Sequence, residues 1–113
     1  MHEYSVARAL LGRIEREAPK HGDGAVRRVR VRLGELSGVD GALLRTAFEW
    51  CRQGTRCADA PLDIEDQEAR WSCSRCGARI ARGARLTCVG CGQPARLTCG
   101  DEILLVAIEM EVT

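Results

Sequence analysis

Cys73-Ser-Arg-Cys76-Gly77 recurs in kind as Cys88-Val-Gly-Cys91-Gly92, with eleven residues separating Cys76 from Cys88. No other feature of the chain limits the fold as sharply. Each CxxC lets two thiolates of one tight turn reach a single metal, and the glycine after it takes the positive φ that closes the turn. Two such knuckles supply four sulfurs, a complete tetrahedral shell for Zn²⁺ that leaves no position for water. A site of this kind is structural and not catalytic. Four thiolates on Zn²⁺ carry a net charge of −2, and Arg75, Arg79 and Arg82 are near enough in sequence to offset it. The segment between the knuckles, GARIARGARLT, offers little beyond Ile80 and Leu86 to bury. Metal binding, worth roughly 10–16 kcal/mol in comparable peptides, must therefore supply its folding free energy.

Seven cysteines in 113 residues would also suit a disulfide framework in an oxidising compartment. The opening MHEYSVARALLGRIERE, however, scatters charges through its length and has no uninterrupted apolar stretch, unlike a signal peptide. No apolar run approaches the ~20 residues needed to span a bilayer. A cytoplasmic protein with metal-bound thiolates is the expectation. Of the remaining cysteines, Cys51 falls on the apolar stripe of a helix and acts as a small hydrophobe. Cys57 reads as structural, and Cys99 reads the same way although it lies close to the second knuckle.

The rest of the chain reads as alternating helix and strand. Tyr4, Ala7, Leu10, Leu11, Ile14 and Ala18 recur at helical spacing until Pro19 and Gly22. Val29, Val31 and Leu33 alternate with Arg28, Arg30 and Arg32, the period of a half-buried strand. After the turn-rich GELSGVDG, Asp40 stands where a helix N-cap belongs. Leu43, Leu44, Ala47, Phe48 and Cys51 form the stripe of a second helix ending near Gly54. Leu62 and Ile64 alternate with Asp63 and Glu65. In the last segment Leu104, Val106, Ile108, Met110 and Val112 share one face, and Ile103, Leu105 and Ala107 the other. Two apolar faces predict a strand covered on both sides and central in its sheet. The expected fold is α+β: a small sheet of about three strands with two helices on one face, and an inserted zinc-ribbon-like module. Residues 1–70 and 99–113 would form the α/β domain, and residues 71–98 the zinc module.

His2 is one of two histidines, and its place beside the α-amine is what matters. Amine, deprotonated backbone amide and imidazole can chelate one ion in fused five- and six-membered rings lying in a plane. Planar nitrogen donation suits Ni²⁺ and Cu²⁺, whereas Zn²⁺ gains nothing from that geometry. Taken alone, a histidine at position 2 is usually chance, and Glu3 is an ordinary favourable charge in a first helical turn.

The opening MHEYSVARALL, then VRRVRVRLGELSGVD, a helix ending FEWC and the paired knuckles occur in one order over essentially the whole chain. In that combination the sequence resembles the HypA/HybF family of nickel-insertion accessory proteins for hydrogenase maturation. The resemblance implies a non-enzymatic nickel metallochaperone with a structural zinc. Its nickel ligands would be Met1 through the amine, His2 through imidazole and amide, and Glu3 through its amide. Asp40 is a further candidate, in a role that an N-cap does not preclude. The implied partners are a HypB-type GTPase and the large subunit of a [NiFe]-hydrogenase; a monomer and an element-swapped homodimer both stay open. Some relatives carry histidines beside the knuckles that tie the zinc site to acidity. Residues 71–98 contain none.

Two other classes compete with this reading. A nucleic-acid-binding zinc ribbon would use Arg27, Arg28, Arg30 and Arg32 with Arg75, Arg79, Arg82 and Arg85. Yet net charge is only +1, and aromatic stacking platforms are scarce at 4% of residues. A thiol oxidoreductase would use one CxxC, but a redox pair does not normally come duplicated with a glycine after each. No Ser/His/Asp grouping, phosphate loop or paired carboxylate site can be made out.

Overall fold

The computed structural model describes residues 2–112. Helix α1 (His2–Glu17) runs into a single 3₁₀ turn at Ala18–His21, where Pro19 withholds the amide a longer α-helix would need. Strand β1 (Val26–Gly34), helix α2 (Gly41–Cys51) and strand β2 (Leu62–Gln67) follow. Then come β3 (Arg70–Cys73), the short β4 (Arg79–Ile80), β5 (Ala95–Cys99) and β6 (Ile103–Met110).

Two three-stranded sheets result, ordered β2-β1-β6 and β4-β3-β5. In the first, β1 is parallel to β2 and antiparallel to β6. A parallel neighbour requires a crossover, and α2 supplies it. Both helices close over one sheet face: Ala7, Leu10, Leu11 and Ile14 of α1 and Leu44, Ala47 and Phe48 of α2 share a core with Val26, Val29, Val31 and Leu33. The expected α+β arrangement, with two helices on a small sheet and a four-cysteine module beside it, is what the chain adopts.

Phe48 is fully buried at the centre of this core. Phe48→Ala is expected to cost about 3–5 kcal/mol, because the sheet and α1 cannot collapse fully into the space left. Urea unfolding followed by far-UV circular dichroism checks it.

Two expectations about packing are corrected. Strand β6 is an edge strand, and β1 is the central one. Its two apolar stripes are not two covered faces. Val31 pairs with Leu105 and Arg30 with Ala107, so Val106 is an extra residue at a bulge. The bulge reverses the alternation, and Ile103, Leu105, Ile108 and Met110 together pack against the core. Leu104 and Val106 are left exposed on the open face. Leu43 was also expected in the buried stripe of α2 but is 54% exposed. The helix needs only Leu44, Ala47 and Phe48, with half-buried Cys51, to meet α1 and the sheet.

On the open face the arginines of β1 meet the acids of β2 across the parallel pair. Arg28 lies 3.3 Å from Asp63 and Arg32 lies 3.6 Å from Glu65. The molecule is elongated, with extents of 56 × 29 × 17 Å, because the second sheet extends beyond the helix-covered one and does not pack into its core.

Candidate metal centres

The knuckles form as their glycines require. Gly77 and Gly92 have φ of +75° and +70°, and each donates its amide to the carbonyl of the first cysteine of its pair, Cys73 at 3.0 Å and Cys88 at 2.7 Å. The chain leaves each knuckle by a second matching bond, from Cys73 N–H to the Ala78 carbonyl and from Cys88 N–H to the Gln93 carbonyl, both 2.8 Å. Strand β3 delivers Cys73, the turn into β4 delivers Cys76, and the turn before β5 delivers Cys88 and Cys91.

The four sulfurs lie within 4.8 Å of one another, with Cys76 Sγ 3.8 Å from Cys88 Sγ. A tetrahedron with ~2.3 Å metal–sulfur bonds has edges of about 3.8 Å, so the cluster has the dimensions of a Zn(Cys)₄ site. It is far too open for a disulfide, whose sulfurs sit about 2.05 Å apart. The amides of Cys76 and Arg75 each donate to Cys73 Sγ at 3.4 Å and lower its pKa to about 6. Contact with the Cys76 sulfur pushes Cys91 up to about 12. Four sulfurs this close cannot all be thiolates without a cation among them.

The three other cysteines lie outside this cluster. Cys57 is buried in the helix-covered core, and that burial pushes its thiol up to about 11. Cys51 packs at the core's margin, and Cys99 ends β5 with Gln67 Nε2 donating to its sulfur at 3.6 Å. Arg82, expected among the counterions to the sulfurs, is engaged by an acid. Its guanidinium forms a two-pronged pair with Glu35, 2.7 Å from Nη1 to Oε1 with a second contact from Nη2 to Oε2.

The expected nickel residues His2, Glu3 and Asp40 converge at the end of the helix-covered body where β1 leaves the sheet for α2. Asp40 caps α2, its Oδ1 accepting from Leu43 N–H at 3.0 Å. The Asp40 amide in turn donates to Glu3 Oε2 at 3.2 Å, which joins the first turn of α1 to the start of α2 across 37 residues of sequence. That bond holds the Glu3 carboxyl below its usual range. The His2 ring lies beside the same loop, its Cε1 3.9 Å from where a side chain on Gly38 would begin. His2 and Glu3 occupy the first turn of α1, where backbone N–H groups have no intrahelical acceptor. Met1, the expected amine ligand, lies outside the described residues.

Gly38 and Glu35 carried no signal in the sequence as partners of these sites. Their contacts are with His2 and Arg82, 36 and 47 residues away. Among the described residues, no helix is long and apolar enough to cross a membrane.

Residues 1–110 match the family described as "Hydrogenase/urease nickel incorporation, metallochaperone, hypA". Hydrogenase maturation factor HypA of Nitrosospira multiformis is 36% identical over 115 residues, covering 100% of both chains. The factor of the same name from Wolinella succinogenes is 39% identical over 98% of this chain and 96% of its own. The solution structure of the Ni metallochaperone HypA from Helicobacter pylori superposes with a TM-score of 0.74 at 34% identity, covering 96% of each chain. A second HypA solution structure reaches 0.82 at 35% identity, covering 98% of this chain and 97% of its own.

Proposed function

The chain belongs to the HypA family of nickel-incorporation metallochaperones, accessory proteins of hydrogenase maturation and not enzymes, and from that membership we propose that it holds Ni²⁺ at its N-terminus for delivery. The observation that carries this reading is the convergence of His2, Glu3 and Asp40 at one end of the helix-covered body. Nickel, as cargo, would take the Met1 amine and the His2 amide and imidazole in a plane, with the Glu3 amide and Asp40 as the further donors alongside. Amide ligation there breaks no helical hydrogen bond. The positive end of the α1 dipole also favours the negative charge that a deprotonated amide carries. A planar site at a chain end can be dismantled by a recipient.

In this reading Cys73, Cys76, Cys88 and Cys91 hold a structural zinc. The zinc orders residues 71–98 as a module inserted between residues 1–70 and 99–113. Delivery would proceed in the cytosol with a HypB-type GTPase to the large subunit of a [NiFe]-hydrogenase. The arginine face of β1 favours this over a nucleic-acid interface, since Arg28 and Arg32 are already engaged by Asp63 and Glu65.

His2→Ala tests the assignment. It is expected to abolish nickel binding in the native-terminus protein and hydrogenase activation in cells lacking the wild-type chain, with zinc content unchanged. Full nickel binding and full activation by the variant would overturn it.

A further inference from the structure

The cysteine module packs little against the helix-covered body, so the few bonds between them decide how they are held. Apart from the Gln67–Cys99 contact, those bonds gather on one short loop, residues 35–40, which follows β1. At its start Glu35 donates its amide to the Gln67 carbonyl at 2.8 Å, and Leu36 donates to the Gly100 carbonyl at 2.7 Å. Gln67 and Gly100 lie on the two strands of chain that connect the sheets. These connectors are in close contact: a Cβ on Gly100 would fall 2.5 Å from Ala69 Cα. The Glu35 carboxylate then joins three segments. Its Oε1 accepts from Ala69 N–H at 2.9 Å on one connector, and both oxygens accept from Arg82 inside the module.

The far end of the same loop is the nickel-holding end. Ser37 N–H donates to the Gly34 carbonyl at 3.0 Å, and Val39 N–H to Ser37 Oγ at 3.3 Å. Gly38 borders the His2 ring, and Asp40 N–H donates to Glu3. With these bonds the loop is a short tether, hydrogen-bonded along most of its length, running from the module to the chain end.

We propose that Glu35 and Arg82 are positioning residues, clamping the cysteine module to loop 35–40 and thereby holding Gly38 and Asp40 where they orient His2 and Glu3. The proposal rests on the N-terminal nickel reading above. The pair suits a clamp because the planar guanidinium matches the carboxylate in two parallel bonds, which a single-pronged lysine cannot reproduce. Arg82 holds the Glu35 carboxyl down to about 2, so the clamp stays charged throughout the neutral range, with Glu68 the other acid facing Arg82. Exposed pairs contribute little to global stability as a rule. The expected consequence is therefore local order and nickel geometry, not unfolding.

The test uses the zinc-loaded full chain with its native N-terminus, as wild type, Arg82→Met, Arg82→Lys and His2→Ala. Amide hydrogen exchange is read at Leu36, Val39 and Asp40, and nickel is titrated into each protein. Arg82→Met is expected to speed exchange at all three amides and to weaken nickel binding about fivefold, the lower end of ordinary coupling between sites. Zinc content should not change, and Arg82→Lys should recover part of both losses. Unchanged exchange in Arg82→Met overturns the clamp. Faster exchange with unchanged nickel affinity, while His2→Ala loses nickel, overturns the positioning role. If His2→Ala itself binds nickel like wild type, the N-terminal site is wrong, and exchange at the three amides still decides the clamp.

Discussion

Acetylating the α-amine, or extending the chain by three residues ahead of Met1, is expected to abolish planar nickel binding and leave zinc content unchanged. The amine is the one donor in the proposed set that no side chain can replace. Converting it to an amide removes a basic nitrogen and also breaks the five-membered chelate ring that makes the neighbouring amide acidic enough to ligate. The loss should be at least about a hundredfold in affinity, or about 2.7 kcal/mol. A one-residue extension would be a poor substitute. It would place the histidine third, with two amides between it and the new amine, which is itself a planar four-nitrogen chelate. Absorbance in the visible d–d region of the nickel-titrated protein reports the planar ion. Equal spectra from native and acetylated protein would show that the amine is not a ligand.

Stripping the metal with a chelator, or replacing Cys73 with serine, is expected to unfold residues 70–99 and leave the helix-covered sheet intact. The module has little else to hold it: its buried apolar residues are Cys73, Ile80 and Cys88, while Leu86 and Val89 are exposed. Comparable zinc peptides draw roughly 10–16 kcal/mol from the metal, and nothing in β3, β4 or β5 replaces that. The larger body has its own core around Phe48, Ile14, Leu44, Val29 and Val31 and does not depend on the sulfurs. In an amide correlation spectrum the resonances of β3 to β5 should collapse toward random-coil positions, while those of α1, β1 and α2 stay dispersed. Native dispersion in the metal-free module would sink the structural-zinc reading. Wild-type zinc retention by Cys73→Ser would show that Cys73 is not a ligand.

What the sequence determined by itself is what short-range chemistry specifies. The CxxCG repeats state which atoms meet and which glycines must turn, because the partners in each knuckle are at most a few residues apart. Asp40 was legible as a cap because its acceptor and the Leu43 amide are three residues apart. The heptad-like spacing of Ala7, Leu10, Leu11 and Ile14 marked a buried helix face for the same reason. Only the tertiary structure decided the rest. Strand β6 offers two apolar stripes, and which one is buried depends on a bulge at Val106 set by its pairing with β1, some 75 residues earlier. Arg82 had sulfurs near it in sequence and an acid 47 residues away, and the fold paired it with that acid. Glu3 and Asp40 meet because two helices start at the same end of the body. Periodicity and spacing report the neighbours of a residue along the chain, whereas register, edge position and long-range ion pairs depend on how separate elements are packed, and no local pattern encodes that.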